Sequence, residues 1–217
     1  MRCLIAIAAV AVAIPAAAAG TITGRVDLVD KPGRRTSDLS DVVVYLDDVK
    51  VKPKPATATV VMKGKAFFPH VVAIPVGGRV EFPNEDPIFH NAFSVSGENR
   101  FDLALYKRPK TGSQTFQHPG VVKVYCNIHP QMSAVVVVLN GPLFTRVASD
   151  GTFTVENVPA GKHTLKAWHE RAGDAAVEVT VPEKGAVTAA LRLDATTWKR
   201  EQHKNKFGKD YSSDEKY

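Results

Sequence analysis

The sequence predicts an all-β protein. From Thr21 to about Leu193 it reads as short runs rich in Val, Ile, Thr and Phe, many of them alternating apolar with polar. Gly, Pro, Asn and Asp separate the runs, which is the chemistry of tight turns. Only "ATTWKREQHKNKF", following Asp194 as N-cap, reads as helical. Many short strands at such spacing imply β-sandwiches or barrels. At 217 residues the chain has room for one large domain or two small ones.

The chain opens with "MRCLIAIAAVAVAIPAAAAG", in which Arg2 precedes an apolar stretch from Leu4. Ala17, Ala18 and Ala19 form a small-residue cleavage signature before Gly20. The expectation is a signal peptide over residues 1–19, removed on export to the periplasm. A membrane anchor is the weaker reading: the apolar stretch falls short of the roughly 20 residues of a spanning helix and has no basic residues behind it. No membrane span is therefore expected after cleavage. Cys3 leaves with the signal peptide, and the mature chain carries one thiol, Cys126. In an oxidising compartment cysteines pair as disulfides. A lone one is buried, reactive, paired between chains or bound to metal.

The first strands lie in "GTITGRVDLVDKPGRRTSDLSDVVVYLDD" and the last in "TRVASDGTFTVENVPAGKHTLKAWHE", from Thr145 to Glu170. They carry a G-x-V strand, the apolar "VVVYL", then D-G-x-F and V-P-x-G-x-x-x-L. On these residues the two stretches resemble the opening and closing parts of the carboxypeptidase regulatory-like, or transthyretin-like, β-sandwich. The resemblance implies a discontinuous domain over residues 20–50 and 141–194, with residues 51–140 inserted between two of its strands. Insertion at an exposed loop is tolerated where its two ends lie close together. Two sandwiches in tandem is the alternative arrangement. Residues 195–217, basic as a whole, are expected to form a short C-terminal helix and then a disordered tail that ends in the polar "GKDYSSDEKY".

The middle segment has its own pattern. Strands lead up to "EFPNEDPIFHNAFSVS", where His90 follows a strand and a Pro-Asn turn. The run "VVKVY" then leads into "CNIHPQM", which places Cys126, His129 and Met132 at three-residue intervals. A strand ending in Cys, followed by a tight loop bearing His and Met, can converge on a point at one end of a sandwich. An upstream His on a neighbouring strand supplies a second imidazole. One thiolate, two imidazoles and one thioether form a soft donor set that selects copper, and trigonal His₂Cys with a weak axial Met is the blue-copper electron-transfer site. Zinc is the main competitor for Cys and His; the thioether argues against it. Singly, each residue has a plainer role: Cys126 as a small buried hydrophobe, Met132 as a gap filler, His90 as a hydrogen-bonded loop histidine.

From about Ala58 to Leu139 the chain resembles a cupredoxin of the plastocyanin and amicyanin kind. The resemblance rests on "FPHVVAIPVGGRVEFPN", then "HN", then F-x-x-P-G before "VYCNIHPQM". The short C-x-x-H-x-x-M loop is most similar to that of amicyanin. With the trailing "LKAWHE", the whole arrangement resembles exported proteins described as methylamine utilisation or plastocyanin-like proteins. The resemblance implies a Greek-key β-sandwich over residues 51–140 holding one type 1 copper ion, with His90, Cys126, His129 and Met132 as ligands. It gives Asn91 a hydrogen bond to the loop that carries the thiolate. It also implies one-electron transfer through an exposed edge of His129, set in an apolar docking patch of Pro87, Ile88, Ile128 and Pro130. The implied partner is another redox protein, a c-type cytochrome or a dehydrogenase, met by a monomeric carrier.

Rival functions make different demands. A copper oxidase or nitrite reductase subunit needs further histidines, often one beside the Cys, whereas Tyr125 and Asn127 flank Cys126. No enzymatic role is expected. Copper delivery, storage or sensing is the alternative, and it favours exposed Met- or His-rich runs; Met62 is the only other methionine of the mature chain. A structural sandwich with a relict site is a further reading. His70 and His118 fall at non-ligand positions, His169 belongs to the second sandwich, and His163 and His203 carry no signal. The net charge of +6 gathers in "KVKPKP" (Lys50, Lys52, Lys54), "KGK" (Lys63, Lys65) and the tail. No aromatic residues interleave with the central lysines, so no nucleic-acid partner is expected. They serve solubility, or steer the protein toward an acidic partner.

Overall fold

The computed structural model describes residues 19–31, 34–36, 38–46, 48–49, 54–199 and 203–211. Residues 1–18, nearly all of the expected signal peptide, lie outside them, as do Lys50 and Lys52. The chain opens with β1 (Ala19–Lys31), β2 (Arg34–Arg35) and β3 (Val43–Leu46). The middle segment holds β4 (Thr57–Thr59), β5 (Val61–Lys63), β6 (Ala66–Phe68), β7 (Val71–Pro75) and β8 (Arg79–Pro83). It continues with β9 (Phe93–Ser94), β10 (Phe101–Asp102), β11 (Thr111–Thr115), β12 (Gly120–Tyr125) and β13 (Ser133–Leu139). Last come β14 (Phe144–Arg146), β15 (Thr152–Pro159), β16 (Gly161–His169), β17 (Gly173–Val181) and β18 (Ala186–Asp194).

Strands from both ends of the chain build one pair of sheets. In the first, β1 lies between antiparallel β15 and parallel β18; in the second, the order is β14-β3-β16-β17. Their facing side chains, among them Ile22, Val26, Leu28, Leu46, Phe153, Leu165 and Leu193, form a common apolar core. Gly24 sits where β1 is squeezed between its partners. A Cβ there would lie 2.0 Å from the carbonyl oxygen of Ala189 and 2.6 Å from the Phe153 ring, so only a residue without a side chain fits.

The middle segment forms its own sandwich. Sheet β10-β9-β12-β13-β7 faces sheet β11-β8-β4, and the β5-β6 hairpin closes one side. The alternation in β8, with Val80 and Phe82 buried, turns one face inward onto Phe116, Val122, Val124 and Val136. Cys126 and Met132 belong to the same apolar cluster.

Strand β13 explains the unbroken apolar run "AVVVVL". Ala134, Val136 and Val138 face the inner core, whereas Val135, Val137 and Leu139 pack on the other side against Val43, Tyr45, Val71 and Trp168. A strand covered on both faces loses its alternation. The second set comes from β3, β7, β13 and β16, so an apolar layer joins the two sandwiches. At the rim of this layer, the His70 ring meets Glu170 of the β16–β17 turn at 2.7 Å and the Ser133 carbonyl at 3.1 Å.

The expected C-terminal helix is a correction. Residues 195–199 and 203–211 contain no helix, and the helical element among the described residues is the 3₁₀ turn Gly97–Asn99. Asp194 does accept from the Thr196 amide at 2.9 Å, and Trp198 N bonds Ala195 O at 3.1 Å, but among the described residues this one turn is all that forms; residues 200–202 lie outside them. The reason lies in competing side-chain acceptors and in the lack of an apolar stripe. Lys206 N donates to Asn127 Oδ1 and Phe207 N to Asn205 Oδ1, which replaces the i→i−4 ladder with local turns. Nor is all of "GKDYSSDEKY" loose: Gly208 to Tyr211 are placed, and residues 212–217 lie outside the described residues.

Candidate metal centre

Two loops at one end of the inner sandwich supply the site. After β8, the Asn84 side chain donates to the carbonyls of Ile88 (3.0 Å) and Tyr106 (2.9 Å) and accepts from the Asp86 amide (2.9 Å). The loop "NEDPIF" thus folds around one buried amide and delivers His90. The His90 backbone exchanges two bonds with Tyr106, at 3.0 and 2.8 Å. The second loop begins where β12 ends. Cys126 N bonds Met132 O at 3.3 Å and Met132 N bonds His129 O at 3.0 Å, which folds "CNIHPQM" back on itself. Asn91 bridges the two loops: its Oδ1 accepts from Asn127 N at 2.6 Å, and its Nδ2 donates to Asp102 at 3.1 Å.

These loops bring His90, Cys126 and His129 together, all three buried, with their donor atoms within 4.8 Å of one another. His90 Nδ1 lies 3.0 Å from His129 Nδ1, which lies 3.7 Å from Cys126 Sγ. Donors bound at about 2.0 Å (nitrogen) and about 2.3 Å (sulfur) to a single ion would stand apart by distances of this order. One ion fits that spacing. Met132 is fully buried in the cluster that holds Cys126.

A carboxylate that the sequence reading missed stands behind His90. Asp86 Oδ2 accepts from His90 Nε2 at 2.8 Å, which leaves Nδ1 as the bare nitrogen facing the other donors. Asp86 is itself held by the amides of Gly64 and Lys65, at 2.8 and 3.0 Å. Those residues form the two-residue turn between β5 and β6, both at positive φ (61° and 55°), the arrangement that matches strand twist in a tight hairpin. Burial pushes the Asp86 carboxyl up, but the two amides and then the His90 ring outweigh it and bring it down to about 2. The only sequence signal was the acid four residues before His90.

Burial pushes the Cys126 thiol up, against three nearby amides. It pushes the His129 imidazole down, with His90 and Lys65 adding to the effect. The pocket thus disfavours both a bare thiolate and an imidazolium. A soft cation reverses this, since it stabilises the thiolate and takes up both imidazole lone pairs. The donor chemistry and the spacing fit one type 1 copper ion, which Cys126, His90 and His129 would hold, with the buried Met132 thioether of the same loop available as a weak further donor.

No family model matches the chain, and no curated protein does. Solved structures similar to part of it include a copper-containing enzyme and cupredoxins. A Cu-containing nitrite reductase from Thermus scotoductus SA-01 is 32% identical over 42% of this chain and 24% of its own, with a TM-score of 0.37. A purple cupredoxin from Nitrosopumilus maritimus is 25% identical over 37% of this chain and 98% of its own, at 0.34. An amicyanin variant in its reduced Cu(I) form is 24% identical over 42% of this chain and 86% of its own, at 0.35. The chain spans about a quarter of the nitrite reductase.

The surface around the site differs in part from expectation. Pro87 and Pro130 are exposed, Ile88 is 36% exposed and Ile128 half-buried. His129 was expected to present an open edge, yet it keeps only 7% of its surface. Its loop turns the ring inward against His90, with centroids 4.7 Å apart. His70, His118 and His163 pair with carboxylates elsewhere, and His169 is buried beside Trp168.

His203 does have a role, again missed from sequence. Its ring stacks on Tyr125 at 3.8 Å and 16°, and Nε2 donates to the Pro130 carbonyl at 2.7 Å. Tyr211 Oη donates to the Cys126 carbonyl at 2.9 Å, and Lys206 reaches Asp102 at 2.6 Å. Residues 203–211 form a strap across the ligand loop. No local pattern announces it, because every partner lies more than sixty residues upstream.

Proposed function

We propose that the chain is an exported type 1 copper protein that carries single electrons between redox partners. The observation that carries this reading is the buried convergence of His90 Nδ1, Cys126 Sγ and His129 Nδ1 on one point, with Met132 from the same loop. Bound copper would supply a one-electron couple, with the electron passing between it and the partner's redox centre and no bond made or broken. The residues do the rest. Cys126 and His90 have no exposed surface, so water is kept from the ion. Asp86, Asn91 and the backbone bonds of the ligand loop fix the donors in one arrangement, which serves both oxidation states with little rearrangement. Electrons enter and leave at the narrow surface of His129, beside Pro87, Ile88, Ile128 and Pro130, and the partner is a c-type cytochrome or a dehydrogenase.

A protein-filled ligand shell has no position for substrate, and Tyr125 and Asn127 occupy the places where a coupled catalytic site would have histidine. A carrier role rather than an enzymatic one follows. The leader sequence supports export to the periplasm, and among the described residues no helix is long and apolar enough to cross a membrane. The outer sandwich is read as a carboxypeptidase regulatory-like domain, residues 20–50 and 141–194, around a cupredoxin domain of residues 51–140. Loading residues 20–217 with Cu(II) tests the central reading. An intense thiolate-to-copper band that vanishes in Cys126→Ser supports it; a colourless protein with an ordinary copper resonance rejects it.

A further inference from the structure

The face over the metal centre is apolar in the middle and cationic at its edge. Ile88 is 36% exposed, Phe89 49% and Leu105 51%, and Pro87 stands exposed beside them. All flank His90 or its bridge partner Tyr106 in the chain. Around them stand Lys65, exposed in the β5–β6 turn and bound through its amide, at 3.0 Å, to the Asp86 carboxylate behind His90, and Lys107, whose Nζ lies 5.3 Å from the centre of the Phe89 ring. Arg108 is exposed next to it, and the Lys110 ammonium stands 6.0 Å from the Tyr106 ring.

The acids of the same elements are already engaged. Glu85 pairs with Lys63 at 3.0 Å, Asp86 is turned inward to His90, and Asp102 is held by Lys206. Among the described residues no ion pair engages Lys65, Lys107, Arg108 or Lys110. The "KGK" lysines therefore divide: Lys63 is neutralised by Glu85, whereas Lys65, in the turn that holds Asp86, adds to an uncompensated field beside the site.

We infer that this face docks an acidic redox protein, one whose electron-exchange edge is apolar and ringed by carboxylates. The inference rests on the carrier reading above and adds the sign and placement of the partner's charge. The four cations raise the encounter rate with such a surface at long range. Contact between apolar centres then brings the two redox groups close, over the small area that transient electron-transfer pairs use. Lys107 lies over Phe89, so its charge borders the apolar area without interrupting it. A second basic region, a groove lined by Lys123, Arg171 and Lys199, fits the role less well. Glu170 sits among those cations, and the groove opens beside the strap rather than over His129.

The full chain, labelled with ¹⁵N and loaded with Cu(I), is titrated at low salt with an acidic c-type cytochrome and, separately, with a basic one. The expected result is amide shifts at Lys65, Ile88, Phe89 and residues 105–110 with the acidic protein alone, fading by about 0.3 M salt as screening sets in. Lys65→Glu with Lys107→Glu is expected to weaken that binding roughly tenfold. Shifts centred on Lys123 and Arg171, an equal response to the basic cytochrome, or no response to the acidic one overturns the inference. The visible band, recorded on a portion of the same protein loaded with Cu(II), reports separately on copper. A blue protein indifferent to the acidic cytochrome rejects only the inference, and a colourless one that binds it at this face rejects only the carrier reading.

Discussion

Asp86 shows how much of a metal centre resides in residues that are not ligands. Two amides from a Gly-Lys turn hold its carboxylate, the carboxylate orients His90, and His90 presents its bare nitrogen to the site. Asp86→Asn keeps the shape but removes the charge. Copper affinity is expected to fall about 10- to 100-fold, measured by competition with a chelator. The reduction potential is expected to rise, because a less basic imidazole stabilises Cu(II) less. An unchanged potential would reduce Asp86 to a loop residue. Tyr211 acts on the opposite side of the site, through the Cys126 carbonyl. Tyr211→Phe is expected to speed copper loss to a chelator several-fold, the effect of one hydrogen bond of about 1 kcal/mol, with the melting temperature nearly unchanged.

Among the elements, β1 is the most constrained, since its Gly24 has a carbonyl on one side and an aromatic ring on the other. Gly24→Ala is expected to cost about 2 kcal/mol or more by overpacking, read from chemical denaturation, while the spectrum of the folded fraction stays unchanged. Much at this scale was legible in sequence. The strands were marked by alternation, and the heptapeptide from Cys126 to Met132 was conspicuous because its three sulfur and nitrogen donors share one loop. What stayed hidden depends on distance along the chain. Residues 203–211 have no amphipathic stripe of their own, and their order comes from Asn127, Pro130 and Cys126. Likewise Asp86 looked like one acid of a polar loop until the β5–β6 turn placed two amides on it. The run in β13 was legible as a strand, but the reason for its missing polar face lay in a second sandwich.

At the scale of the whole molecule, one charged pair guards the seam between the sandwiches. The hydrogen bond to Glu170 raises the His70 imidazole above its usual range, burial opposing, and the same bond lowers the Glu170 carboxyl. Asp41 also faces His70, its carboxyl raised by burial. His169 stays neutral, driven down to about 4 by burial and then by Arg171, and Lys123 faces Glu170. A raised imidazole stabilises the fold below its unfolded value near 6.5, and this stabilisation is lost as pH rises through the folded value. A lowered carboxyl stabilises above about 4.5 and is lost as pH falls. The pair thus contributes most between about 4.5 and 6.5. Thermal melts are expected to show stability declining above pH 6.5, and Glu170→Gln is expected to flatten that decline; an equal slope in the variant removes the pair as its cause.

The parallel and antiparallel partners of β1 also bear on the order in which the chain can take shape. Arg25 must find Thr152 and Ala190, whereas the pairings of the inner sandwich all lie between Thr57 and Leu139. Closing long loops is slow. Emerging N-terminus first, the middle unit can close while β1 still lacks both of its distant neighbours and exposes its edges. The nascent protein would then be most vulnerable to edge-to-edge aggregation during that interval, before β15 and β18 arrive to cover them.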